Sequence, residues 1–441
     1  MTESNKLSLP SAILINLNIM LGSGLFINTA LLTKQAGSLG AFVYPLVGIL
    51  LFPLVLAIAQ LLHYHQESGT FYHFGLSISP FFGFLSSWSY FVAKLCSCAL
   101  GIHVCLSFLQ QIIPLLQAIP LLALDCIVIV LFAFLNLLNL RIGRSIQYSF
   151  LGLKLIPILF AIFAGLYLFS GTHFTYDSTI FSGIPPSIPL VLFAFSGFEA
   201  TCSLSTHIRN AQINGPRAIL ISYMIVNAIV FLYQLLFYGS LGTYLGSLTQ
   251  GYLGVFPALL TRLFGTETPT KNILEPLLHI GIASSSLGAA YGIMYSNGWN
   301  LYTLAQNNHV FFKKLVTRLN KHSMPFACIL VEAALALIYI LISGGQQVPL
   351  QQVSALGGTI AYTLSSIALL MLSYKRERRL KAVPILSLLS CLILIGSFIW
   401  TIVVKGPTVL LLFFLFILLL GSAMFFKKHE PEPELEIFEE I

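Results

Sequence analysis

SIPLVLFAFSGFEATCSLST, residues 187–206, is apolar enough to enter a bilayer, yet it carries Ser196-Gly197 in its middle and Glu199 just beyond. A second run, SAILINLNIMLGSGLFINTALL at 11–32, is interrupted in the same way by Gly22-Ser23-Gly24. A span interior avoids glycine unless helices pack closely there or the helix opens. The two runs are the first and sixth of twelve, five apart, the spacing expected of equivalent positions in two inverted five-helix repeats. An opened turn bares N–H and C=O groups at mid-membrane. The N-terminus of a half-helix then offers partial positive charge to a carboxylate, and freed carbonyls can take an ammonium group. A zwitterion suits that arrangement. Small-residue packing between helices is the other explanation of the glycines, and the pattern alone leaves both open.

Working outward, the rest of the chain supports a membrane class. Of its 441 residues 57% are hydrophobic and only 8% charged, against about 25% charged in ordinary soluble domains. Apolar runs of about 20 residues recur, each long enough for a hydrocarbon core of roughly 30 Å. Alternating strands of the barrel type are absent from the pattern, which leaves helices that satisfy their own backbone groups. The runs fall at 11–32, 39–62, 80–112, 120–139, 145–170, 187–206, 216–242, 276–305, 325–343, 352–374, 384–404 and 407–426. The expected fold is an all-α polytopic membrane protein with twelve transmembrane helices. Its parts are a tail at 1–10, a ten-helix core at 11–374 made of repeats 11–170 and 187–374, two further helices at 384–426, and an acidic tail at 427–441. The N-terminus reads as a short tail entering the first span, not as a cleavable signal, because the apolar run continues past Gly24.

Basic residues give the orientation. With the N-terminus inside, sixteen of the 22 Lys and Arg fall on the inner side, and four (Lys34, Arg262, Lys271 and Lys405) on the outer. Lys94 and Lys154 lie within spans. That asymmetry places both termini in the cytoplasm, in a cell membrane of cytoplasmic type. The net charge of +7 is thus a topology signal spread over short loops, not a nucleic-acid surface. The seven cysteines all lie in apolar segments without a Cys-x-x-Cys pair and read as small buried hydrophobes.

Several stretches resemble one family. Gly22-Ser23-Gly24-Leu25-Phe26 is similar to the first-span signature of the amino acid–polyamine–organocation (APC) superfamily of permeases, and FAFSGFEA at 193–200 to its sixth-span signature. Ile208-Arg209-Asn210 with Gly215-Pro216-Arg217-Ala218-Ile219 resembles the loop into span 7, Ser68-Gly69-Thr70-Phe71-Tyr72 the element after span 2, and Tyr302-Thr303-Leu304-Ala305 the end of span 8. The matches keep family order over most of the chain. The resemblance implies a five-plus-five inverted repeat, commonly followed by two extra helices, and a secondary amino acid transporter. The chain departs from the pattern at Gln60, Gln66, Thr206, His207, Trp299 and Asn307, where the family usually has charges or, at Gln66, proline. Inner-side salt bridges are therefore not expected at those positions.

An ionisable residue at the bilayer centre costs roughly 2.5–3.5 kcal/mol on insertion scales, so such residues are functional hypotheses by default. Lys154 lies about 15 Å into span 5 by helix rise, where the resemblance implies proton coupling, as in members with a lysine on that span. Glu199 follows the span 6 break, and the resemblance implies a gate or proton-responsive carboxylate. Phe193 is the aromatic that the resemblance implies closes over bound substrate. Lys94 and Glu332 read as members of structural pairs, and Asp125 as interfacial. The expected substrate-binding residues are Gly22, Ser23, Gly24, Phe193, Ser196 and Gly197, with Lys154 and Glu199 for proton coupling or gating. With Glu199 as the only nearby charge, the zone reads as suited to neutral or cationic substrates. No enzyme constellation, cofactor motif or metal site is expected: His63 and His65 are two apart, which is poor for a helical metal face, and no phosphate-binding loop occurs. The expected partners are an amino acid or related amine, protons and the lipid bilayer, without nucleic acid, and oligomerisation is left open. Substrate exchange is the close rival to proton symport. A non-transporting sensor on the same fold and a channel are the other readings.

Overall fold

The computed structural model describes residues 6–65, 69–138, 140–175, 178–375 and 382–428. Ser68 of the element after span 2, residues 1–5 of the N-terminal tail and residues 429–441 of the acidic tail lie outside the described residues. Among the described residues every regular element is helical, apart from two isolated bridges.

The first half runs through α1 (Leu9–Met20), α2 (Ser23–Ala36), α3 (Gly40–Tyr64), the short α4 (Thr70–Leu76) and the long α5 (Pro80–Ile112). A single turn, α6 (Pro114–Gln117), leads to α7 (Leu121–Asn136) and α8 (Leu140–Leu168). The second half opens with α9 (Ile184–Phe195), α10 (Ala200–Ser203), α11 (Ala211–Leu241) and α12 (Val255–Phe264). It continues through α13 (Pro269–Gln306), α14 (Lys313–Val316), α15 (Phe326–Ser343), α16 (Gln347–Lys375), α17 (Ala382–Lys405) and α18 (Val409–Lys428). By length and composition, nine helical stretches among the described residues can cross a membrane, counting α1 to α3 as one. Shorter apolar helices occupy Leu121–Asn136, Phe181–Phe195 and Gly251–Phe264. The chain is therefore a polytopic helical membrane protein.

Capping chemistry sets several starts. Ser8, Ser79 and Thr268 each accept a hydrogen bond from the backbone N–H three residues on, at 3.4 Å, and each precedes a proline in the first turn. The Thr268 cap starts α13 at Pro269, seven residues ahead of the expected 276, because Pro276 sits inside the helix instead of beginning it. At the other end of the chain's first element, α1 starts at Leu9, and Leu7 is already docked. Its N–H donates to His207 O and its carbonyl accepts from Arg209 N–H, both at 2.8 Å. This end of the tail is thereby fixed to the connection between α10 and α11.

Burial separates a centre from a perimeter. In the most apolar window of α5 94% of residues are buried, and in α13 83%, against 39% in α17 and in α18. The two long helices α5 and α13 pack on each other at the centre. The outer helices present Leu392, Trp400, Val403 and Leu419 outward, an apolar surface that lipid covers and water does not. The broken runs α1–α2 and α9–α10 lie beside this centre, α2 on α9 and α1 on α10, with α13 against α1.

Candidate functional site

Both interrupted runs are broken. In the first, α1 ends at Met20, Leu21 N–H closes onto Leu17 O at 2.9 Å, and Gly22 is extended before α2 starts at Ser23. No side chain caps α2, so its first N–H groups are left for another partner. In the second, α9 ends at Phe195, Ser196 is extended and Gly197 takes φ +123°, a value that favours glycine. Ser196 N–H donates to Leu192 O and Phe193 O. Among the described residues no donor is recorded for the carbonyls of Ala194, Phe195 and Ser196.

The breaks touch. A Cβ added to Gly24 would stand 3.0 Å from Ala194 Cα, and one on Gly197 would stand 2.6 Å from Ile19 Cγ2. Both explanations of the glycines therefore hold at once: the helices open, and they pack closely. Between the breaks lies a cavity of about 20 Å³, room for a water and not for an amino acid. Gly22, Ser23, Gly24, Phe193 and Ser196 line it, and so does Lys94. Gly197, expected in the same set, does not. It packs on the end of α1 and donates its N–H to Glu199 Oε2 at 2.9 Å.

Lys154 and Glu199 each attach to one break. Lys154 is fully buried in α8, and its Nζ donates to Asn18 O at 2.6 Å and Leu21 O at 2.8 Å, with Ser285 O at 3.5 Å. A cation thus meets the carbonyl end of α1, where the helix dipole is negative. Ser285 Oγ also donates to Leu21 O at 2.7 Å. Lys154 is not among the residues lining the cavity. Glu199, fully buried, takes Lys94 Nζ at 2.6 Å, Tyr90 OH at 2.9 Å and Gly197 N–H. It is therefore not the only charge near the cavity, which corrects that reading: Lys94 lines the cavity and Glu199 does not. The signal was in the sequence. Tyr90, Lys94 and Ser97, spaced four and three, form a polar stripe on one face of an apolar helix, and Ser97 also lines the cavity.

The other intramembrane charges lie elsewhere. Asp125 is buried within the protein, with its carboxyl on His103 Nδ1 at 2.7 Å. Lys94 has its ion-pair partner, as expected, but Glu332 has no cation: it makes no ion pair among the described residues, and the polar side chain facing its carboxyl is the neutral Asn297 of α13. Glu332 lies between α15 and Gly298, too far from the cation on α5 to use it. Since a buried carboxylate without a counter-charge is costly, Glu332→Gln is expected to leave transport unchanged and the melting temperature in detergent unchanged or higher. A severalfold fall in uptake with the fold intact would instead give that carboxyl a role.

Hydrogen bonds between neutral groups join the helices on both sides of the cavity. Toward Leu7, Asn16 Nδ2 donates to Phe198 O at 2.9 Å, Thr70 Oγ1 to Cys202 O at 2.8 Å, and Asn300 Nδ2 to Ser203 Oγ at 3.2 Å. Toward the other side, Asn28 Nδ2 donates to Leu190 O, and Gln351 Nε2 to Asn28 Oδ1, both at 2.8 Å. A larger cavity of about 790 Å³, lined in part by His173, Tyr244 and Arg262, does not touch either break.

Comparison with known proteins gives the family. A family model described as amino acid permease matches residues 7–433. The chain is 23% identical over 394 residues to the aromatic amino acid transport protein AroP of Shigella flexneri and to that of Escherichia coli K12, covering 83% of this chain and 80% of each relative. It is 24% identical over 392 residues to the aromatic amino acid permease FywP of Lactococcus lactis, covering 82% and 81%. With that match spanning almost its whole length, the chain belongs to the amino acid permease family, within the superfamily that its first-span and sixth-span motifs resemble.

Proposed function

We propose that the chain is a secondary active transporter that carries amino acids across the cytoplasmic membrane by alternating access, driven by protons. The observation that carries the reading is the pair of opened helices set against one cavity. The substrate carboxylate would meet N–H groups at the start of α2 around Ser23 and Gly24. Its amino group would meet the carbonyls of Ala194, Phe195 and Ser196. The neutral contacts on either side of the cavity would part in turn, since nothing larger than water fits while both are made. Twelve spans, with an inverted repeat of 11–170 on 187–374, two added helices at 384–426 and cytoplasmic termini, complete the proposed architecture. Relatives named for aromatic amino acids, and a cavity wall that includes Phe193 and Ile293, make phenylalanine the first substrate to try.

The test is counterflow in vesicles containing the purified full-length protein. Unlabelled phenylalanine inside should drive saturable entry of labelled phenylalanine, and an inside-alkaline pH gradient should raise accumulation above the equilibrium level. Equal uptake with and without the gradient would replace symport by exchange. Ion conductance without saturable counterflow would indicate a channel, and binding without transport a sensor.

A further inference from the structure

We propose that Lys94 sets the charge selectivity of the cavity: it is a built-in cation that occupies Glu199, so that the site takes amino acids with uncharged side chains and rejects organic cations. The inference rests on the transport reading above and narrows its substrate class.

Four observations carry it. First, Lys94 lines the cavity, whereas Glu199 does not, so the lysine stands between the carboxylate and anything that enters. Second, the pair is tight and dry, 2.6 Å apart with side chains 3% and 0% exposed, and water does little to screen a charge placed there. Third, Glu199 already has three donors: Lys94, Tyr90 OH and the Gly197 N–H. An arriving ammonium would find little acceptor capacity left without expelling Lys94. Fourth, Lys94 Nζ makes no other hydrogen bond among the described residues, and its remaining contact is with the face of the Tyr90 ring at 5.2 Å. Two of its three N–H donors therefore remain at the cavity wall. The other buried carboxylates described, Asp125 and Glu332, are not among the lining residues.

The charge balance follows. The two ends of a zwitterion are met by main-chain groups, carboxylate at α2 and ammonium at the end of α9. A lysine or arginine brings one more positive charge, a polyamine two or more with no carboxylate, and the nearest side-chain charge either meets is the like charge of Lys94. Rejection of the wrong partner by like charge is how such a site discriminates. The reciprocal also holds: without Glu199, the lysine would favour an added carboxylate.

Thermal stabilisation and inhibition of counterflow by phenylalanine, leucine, arginine, putrescine and glutamate test this on the full-length protein. Wild type should respond to phenylalanine or leucine and not to arginine or putrescine. Lys94→Met should lower the half-saturating arginine concentration by about tenfold or more, the size of one desolvated charge contact, and Lys94→Arg should keep the exclusion. Should Lys94→Met fail to fold, Glu199→Gln serves instead and should gain glutamate binding by a similar factor. The inference is overturned if wild type binds arginine as well as it binds leucine. It is equally overturned if the folded variants keep the wild-type charge ranking. A wild type that neither binds nor exchanges any of the five would overturn the transport reading itself, and this inference with it.

Discussion

Replacing Lys154 with arginine should leave substrate exchange measurable and abolish accumulation driven by a pH gradient. Lysine is a compact ammonium that can give up its proton, whereas arginine stays charged in proteins. Lys154 holds two carbonyls at the broken end of α1, Asn18 O at 2.6 Å and Leu21 O at 2.8 Å. When the amine is charged, those bonds pin the break. On the proposed coupling role, loss of the proton would weaken the charge-assisted contact and release the end of α1, tying proton release to movement at the cavity. Arginine can keep the carbonyls occupied but cannot switch. Its larger head in a fully buried position would cost about 1–3 kcal/mol of overpacking, so a lower melting temperature should accompany the uncoupling. Lys154→Ala removes both switch and donor. Leu21 O keeps Ser285 Oγ, while Asn18 O loses the bond from its charged donor, worth about 1.5–3 kcal/mol. The alanine variant should therefore lose both gradient-driven uptake and stability, measured in vesicles and by thermal unfolding in detergent. Undiminished gradient-driven uptake by either variant would end the coupling role of Lys154.

How far the site was legible in the sequence depends on whether the signal is local. The breaks were, because Gly22-Ser23-Gly24 and Ser196-Gly197 stand inside runs otherwise apolar. Phe193, Ser196 and the three residues of the first break meet at one cavity. What the pattern did not contain is pairing between distant helices. Glu199 was read alone, yet its charge partner is on α5. The polar stripe of Tyr90, Lys94 and Ser97 marked that face without saying what it faced. Glu332 shows the opposite error: a charge partner was expected on cost grounds, and no ion pair reaches it among the described residues, only the neutral Asn297.

Helix boundaries follow the same logic. The expected 80–112 matches α5, because Ser79-Pro80 is a local cap signal. By contrast α16 begins at Gln347, not 352, since Gln351 looks like loop and is buried, bonded to Asn28 of α2. An amide that closes the far side of a membrane cavity has the composition of a solvent-facing turn. Only its partner distinguishes the two.

Gly197→Ala should lower the melting temperature and weaken substrate binding by about tenfold or more, the factor that corresponds to 1.4 kcal/mol. Two separable costs arise. The backbone sits at φ +123°, which costs an alanine about 1–3 kcal/mol. The added methyl would lie 2.6 Å from Ile19 Cγ2 and 3.2 Å from Met20 Cγ, so the end of α1 must move or residue 197 must rotate. Rotation would draw the 197 N–H off Glu199 Oε2, now at 2.9 Å, and loosen the carboxylate that holds Lys94. Adding Ile19→Ala should relieve the overlap and leave the backbone term, so the double variant should recover part of the loss and not all of it, a coupling that a mutant cycle reads directly. Gly152→Ala in α8 is the control. Nothing lies within 4 Å of its added methyl, and alanine in a helix interior is favoured over glycine by about 1 kcal/mol, so that variant should be neutral or slightly stabilised. If Gly197→Ala melts and binds like wild type, the tight seam between the two breaks is not what shapes the cavity. If it loses stability but the double variant recovers nothing, the cost lies in the backbone turn alone.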